Sequence, residues 1–190
     1  DERTAVDQFG SGDKYFGVCT MMVAMPGLPM FGHGQIEGFR EKYGMEYRRA
    51  YRDETADEEL VERHRREIFP LMRKRWVFTG VENFFLYDFW EGSAVNENVF
   101  AWSNRAGAER ALILYNNSYS RTSGWVKTAA AKAEKGDDGE KRLVQRPLAH
   151  GLALTARDGR FCVLREQRSG LSFLRTTVEL SENGLFATLD

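Results

Sequence analysis

Apolar residues follow one rhythm along this chain up to about residue 80 and another beyond it. Tyr15 to Met25 is an apolar stretch with Ala, Met and Val, long enough for a buried helix. Pro26-Gly27 ends it, because proline and glycine interrupt a helical pattern. Leu28 to Phe31 is too short for another helix and reads as a buried strand running into the loop Gly32-His33-Gly34. Further on, Leu60, Val61, His64, Ile68, Leu71 and Met72 recur at helical spacing. Thr55, with Glu58 three residues later, matches a capping box and predicts the start of that helix. Pro70 within the pattern predicts a kink or break. Arg63, Arg65, Arg66, Arg73, Lys74 and Arg75 face mostly away from the apolar side and read as a solvated surface. The basic residues at the helix end also complement its dipole.

From Val81 the pattern becomes β. Short apolar runs cover Phe84 to Phe89, Val99 to Trp102, Ala111 to Tyr115, Leu143 to Arg146, Leu152 to Leu154, Phe161 to Arg165, Leu171 to Thr177 and Leu185 to Leu189. Gly, Asn, Asp and Ser separate them, the pattern of a sandwich or barrel. Alternation within the runs predicts Phe100, Trp102, Leu112, Leu114, Val163 and Phe173 pointing inward. Thr128 to Arg142, rich in Ala, Lys, Glu and Gly, predicts an exposed excursion with a short helix and a turn. The fold class expected is α+β. Residues 1–78 form a helix, strand and helix unit, and residues 79–190 an antiparallel β-sandwich.

Composition narrows the function classes. Hydrophobic residues make up 42%, charged residues 29% and aromatics 13%, as in a globular chain. With 27 basic and 28 acidic residues the formal charge is −1. That balance points to neither nucleic acid nor an anionic membrane, which favour a basic excess. It suits neutral sugars among many other ligands. No apolar run is long enough to span a membrane. Cys19 and Cys162 each sit in an apolar run and read as reduced, buried small hydrophobes. No residue spacing suggests a metal-ligand set, and no cofactor is expected. The chain opens on Asp1-Glu2-Arg3 without Met, so a piece of a longer protein is expected.

The segment richest in specific features is Pro26-Gly27-Leu28-Pro29-Met30-Phe31-Gly32-His33-Gly34-Gln35-Ile36-Glu37-Gly38. Pro29 lacks an amide donor and suits a strand start, while Gly32 and Gly34 permit a sharp turn and close approach by a ligand. This segment resembles the eighth-strand motif of glycoside hydrolase family 13, the α-amylase family, at Pro26, Gly27, Pro29, Gly34, Gln35 and Glu37. The family often carries aromatics where Gly32 and His33 stand. Phe100-Ala101-Trp102-Ser103-Asn104-Arg105 and Ala111 to Asn117 resemble opening strands of that family's C-terminal sandwich.

The resemblance implies a carboxy-terminal portion of such an enzyme: the end of a (β/α)₈ barrel, of which a complete one has roughly 250 residues, followed by a sandwich. Its partners would be an α-glucan or oligosaccharide substrate and the remainder of the barrel. His33, Gln35 and Glu37 are then candidate substrate contacts, with structural roles as alternatives. Asp1-Glu2-Arg3 resembles the end of the motif carrying the family's transition-state-stabilising aspartate, which makes Asp1 the catalytic candidate. A frayed, solvated terminus is its alternative. The nucleophile and acid/base would precede residue 1. His64 reads as a core histidine. His150 lies in a turn-like segment with no partner in view, and Asn116-Asn117-Ser118 fits an ordinary turn better than a glycosylation site. Trp76, Trp90, Trp102 and Trp125 are either sugar platforms or core. The competing reading is a stand-alone carbohydrate-binding or structural β-module.

Overall fold

A computed structural model describes residues 3–41 and 49–190 of the chain. The fold is α+β, with antiparallel sheets, and divides into two compact units, 1–75 and 76–190. Asp1 lies outside the described residues.

In the first unit, α1 (Ala5–Phe9) starts at Thr4, whose hydroxyl accepts from the Asp7 amide. The apolar stretch forms α2 (Asp13–Ala24), burying Tyr15, Phe16, Cys19 and Val23. The next helix is α3 (Glu58–Arg63), and its cap is not the expected Thr55. The Asp57 carboxylate accepts from the Glu59 and Leu60 amides, where an acidic cap also complements the dipole. A π-helical turn follows at His64–Ile68, then α4 (Phe69–Arg73) with Pro70 in its first turn. This is the expected interruption. Pro70 has no amide to bond four residues back, and the Phe69 amide reaches His64 O, five residues back. Val6, Tyr15, Phe16, Cys19, Val23, Leu60 and Ile68 form the core. Arg75, read as solvated, instead caps the end of α2. Its guanidinium donates to Val23 O at 3.2 Å, to Met25 O at 2.7 Å and to Gly27 O.

Leu28 to Phe31 leaves α2 without helix or ladder. The expected buried strand is absent here, and Leu28 and Met30 stand 89% and 76% exposed.

The second unit starts in α5 (Arg75–Phe78) and continues through β1 (Phe85–Glu91), β2 (Ala94–Val95), β3 (Val99–Ala106), β4 (Glu109–Asn116), β5 (Thr122–Ala129), β6 (Lys132–Lys135) and β7 (Lys141–Val144). Then come α6 (Leu148–Gly151), β8 (Phe161–Arg165), β9 (Ser172–Thr176), α7 (Thr177–Glu182) and β10 (Leu185–Leu189). The main sheet runs β10-β5-β1-β3-β4, with β2 on β1, and curls until β4 and β10 approach each other, nearly closing a barrel. β6–β7 and β8–β9 are separate hairpins. The core holds Phe85, Tyr87 and Phe89 of β1, Val99 and Ala101 of β3, and Val126 of β5. Leu148, Leu152 and Leu180 close it, and Cys162 and Leu164 of β8 pack against it.

The strand register corrects the inward set. Ala101 pairs with Leu114 and Ser103 with Leu112, so Leu112 and Leu114 share the core face with Ala101 and Ser103. Paired residues lie on one face. Phe100 and Trp102 therefore point the other way; Phe100 is exposed and stacks on Tyr115, while Trp102 is fully buried. In β8–β9, Val163 pairs with Leu174 on the outer face. Val163 is exposed, while Cys162 and Leu164 are the inward residues of β8; Phe173 pairs with Leu164 and so lies on that inward side, although it stays 42% exposed. Thr128 to Arg142 is the end of β5, whose Ala129 is buried in the core, plus the largely exposed β6–β7 hairpin, with no helix, and Leu152 to Leu154 follows α6 as an irregular turn, not a strand.

Asn104, on the face opposite the barrel core, is fully buried. Its Nδ2 donates to Phe78 O at 3.2 Å and Gly80 O at 2.9 Å, and its Oδ1 accepts from the Arg105 amide at 2.8 Å. Asn104→Ala leaves the buried Phe78 carbonyl and the partly buried Gly80 carbonyl without their amide donor. The expected loss is about 2–3 kcal/mol of unfolding free energy, measured by denaturant titration. A loss within experimental error would show that water replaces the amide.

Candidate functional site

The substrate-contact candidates converge on one turn, residues 33–38, between the end of α2 and the start of α3. Gly34, at φ +70°, makes the turn tight; a β-carbon there would lie 2.6 Å from Phe39 Cβ. The Phe39 amide donates to Gly34 O at 2.8 Å and the Gln35 amide to Gly32 O at 3.2 Å. The Asp57 amide donates to Glu37 O at 2.9 Å, tying the turn to the capping residue of α3.

The three side chains differ in availability. His33 is exposed, its ring edge-on to Phe39 at 6.3 Å. Gln35 turns back, and its Oε1 accepts from the Gly32 amide at 3.1 Å. Glu37 is half-buried on the side where its charge acts on Tyr15 and His64.

Beneath the turn lies a polar array that the sequence only half discloses. Tyr15 and His64 are both buried. Tyr15 Oη stands 3.0 Å from His64 Nε2 and 3.1 Å from Gln35 O. His64 Nδ1 stands 2.9 Å from Leu60 O. The ring lies among Phe16, Phe31 and Phe69. Burial pushes the His64 imidazole below its ordinary value, against the Leu60 carbonyl and the Glu37 carboxylate, which favour the charged form. Burial also pushes the Tyr15 hydroxyl up, with the adjacent Cys19 thiol adding to the shift. Helical spacing marks His64 as a core residue. Nothing in the spacing pairs it with Tyr15, because that contact spans two helices distant in sequence.

The second unit carries an aromatic row on its outer face. Trp125 pairs with Trp90 on one side and Phe186 on the other, and Trp90 pairs with Val95. Trp125 and Phe186 meet edge-on at 5.2 Å. Both tryptophans are half-buried and Phe186 is exposed. Lys127 Nζ lies 5.0 Å from the Trp125 ring centre, and the Ser123 and Thr188 hydroxyls bond each other at 2.8 Å beside the row. Trp76 is exposed. An open depression of about 610 Å³ is lined by Glu91, Ala94, Val95, Asn96, Glu97 and Asn98, none of them a residue marked by the sequence.

His150, in α6, is exposed and sets its ring edge-on to Phe85. Asn116 closes a turn, donating to Ser120 O and accepting from the Ser118 amide. Among the described residues no three His, Cys, Asp or Glu side chains gather as metal ligands, and no helix is long and apolar enough to cross a membrane. No family model, no curated protein and no solved structure matches the chain.

Proposed function

We propose that this chain is the carboxy-terminal portion of an α-amylase-type glycoside hydrolase of family 13, acting on α-glucosidic linkages. In this reading residues 1–78 complete the catalytic (β/α)₈ barrel, and residues 79–190 form its sandwich-type C-terminal domain. The observation that carries the reading is Leu28 to Phe31. It follows α2 with no regular structure of its own, two large apolar side chains in solvent and no ladder partner among the described residues. Backbone groups and apolar surface of that kind call for neighbouring strands. An eighth barrel strand would have them on both sides. The turn that follows would then lie on the face where such barrels do their chemistry, with His33, Gln35 and Glu37 along one wall. Packing of β8 against the core of the main sheet supports a second layer, as a sandwich requires.

Retaining glycoside hydrolysis needs a carboxylate nucleophile and a carboxylic acid about 5 Å apart across the scissile bond. In this family both come from strands that would precede residue 1. Asp1 would supply only electrostatic stabilisation of the transition state, which does not replace a nucleophile. The 190-residue chain is therefore expected to show no turnover of starch or small α-glucosides. Turnover that vanishes when a carboxylate of this chain is replaced by its amide would overturn the proposal.

The aromatic row favours the second reading, a stand-alone carbohydrate-binding β-module. Pyranose rings pack their apolar faces on aromatic faces, and Ser123, Lys127 and Thr188 offer hydrogen bonds beside the row. If it binds glucan, Trp125→Ala should weaken retardation in a starch-containing gel at least about tenfold, on the order of 1.4 kcal/mol. Unchanged retardation removes the row from consideration.

A further inference from the structure

The contacts around His64 demand more protons than a neutral imidazole carries. Leu60 O and Gln35 O only accept hydrogen bonds. At 2.9 Å, His64 Nδ1 must donate to Leu60 O, since a bare lone pair would face the carbonyl's own. The Tyr15 hydroxyl has one proton and two strong acceptors within reach, His64 Nε2 at 3.0 Å and Gln35 O at 3.1 Å, with the Cys19 thiol beside it as a weak partner. With the imidazole neutral and its proton on Nδ1, the hydroxyl turns toward Nε2 and Gln35 O loses its donor. With the imidazolium, Nε2–H donates to Tyr15 Oη, the hydroxyl proton turns to Gln35 O, and every contact is satisfied.

We infer that His64 and Tyr15 form a proton-dependent clasp on the 33–38 turn. Gain of one proton at His64 Nε2 reverses the Tyr15 hydroxyl and completes the chain Leu60–His64–Tyr15–Gln35, fastening the turn to α2 and to α3 at once. The groups that set the threshold come from every element packed around the ring. Tyr15 and Cys19 face it from α2, Glu37 from the turn, and Arg63 and Glu67 from the helical segment that carries it. Burial and Arg63 disfavour the charged ring, while the Leu60 carbonyl, Glu37 and Glu67 favour it. The folded value lies below the unfolded one, so the proton arrives at a lower pH than on an unburied imidazole. In that interval the unfolded chain binds it more readily, and acid lowers overall stability even as it tightens the turn. The consequence for sugar contacts at Gln35 and Glu37 rests on the reading above, whereas the clasp itself is measured without any sugar.

The test is a heteronuclear magnetic resonance titration of the whole chain from about pH 8 to about pH 5, the range in which histidine responds. His33→Asn is the background, so that the turn's own imidazole is silent. The Gln35 carbonyl carbon and the Ile36 amide should shift with the same midpoint as the His64 ring nitrogens. In Tyr15→Phe the ring should still titrate while the Gln35 carbonyl stays fixed. In His64→Gln the carbonyl should not move at all. A ring that titrates in the His33→Asn chain with no movement at Gln35 overturns the clasp, as does a carbonyl shift that survives Tyr15→Phe. Failure of Tyr15→Phe to fold leaves the background titration and His64→Gln to decide.

Discussion

Phe89→Ala should lower the unfolding free energy of the second unit by about 3–5 kcal/mol, toward the upper end of that range. Phe89 is fully buried at the centre of the barrel core. Its ring lies over the bare backbone of Gly124 in β5, where a β-carbon would come within 2.5 Å of Phe89 Cε1. The cost of a cavity depends on how far its walls can collapse. Here the wall across the strand has no side chain to move inward, and the paired backbones of β1 and β5 resist displacement. Guanidinium denaturation followed by tryptophan fluorescence reads the effect, because Trp76, Trp90, Trp102 and Trp125 all lie in the second unit. A loss below about 1 kcal/mol would show that the ring is not embedded as described.

Gly184→Ala should cost about 2–4 kcal/mol, combining left-handed backbone strain with overpacking. Gly184 has φ +78° at the entry to β10. An added methyl would stand 2.2 Å from Val126 O and 2.8 Å from Lys127 Cα, backbone atoms of a paired strand that cannot step aside. The damage should be directional. Among the described residues β10 pairs only with β5, so amides of 185–189 should lose exchange protection well before those of β1 and β3. Hydrogen exchange resolves this. Equal loss of protection across all strands would mean that β10 is not the part displaced.

Much of the secondary structure was legible because periodicity and punctuation agreed. The α2 stretch, the Pro70 interruption and the runs that became β1, β3, β4, β8, β9 and β10 each combine apolar rhythm with a local stop. β5 escaped notice although it is central. Its inward residues Thr122, Gly124 and Val126 include just one large apolar side chain, since Phe89 fills the space Gly124 leaves. The inward set failed in part for a related reason. Phe100 and Trp102 share a face, but that face is opposite to the one bearing Leu112 and Leu114, and only the register reveals it. Of the candidate site, the turn 33–38 was visible from its glycines. The Tyr15–His64 contact beneath it was not, because it joins residues 49 positions apart.

Near-closure of the main sheet also bears on how the protein behaves in concentrated solution. A strand with unpaired amides recruits other chains, and a barrel whose last strand approaches its first leaves little such edge. The hairpin β8–β9 has no such protection. It stands as a two-stranded sheet, and its outer face shows Phe161, Val163 and Leu174 to solvent. Arg160, Arg165, Arg168 and Arg175 punctuate that segment, and like charges between approaching copies oppose stacking of their apolar faces. Salt screens such repulsion within about 10 Å at 0.1 M. Ionic strength therefore governs how long the chain stays dispersed, through one hairpin and its arginines.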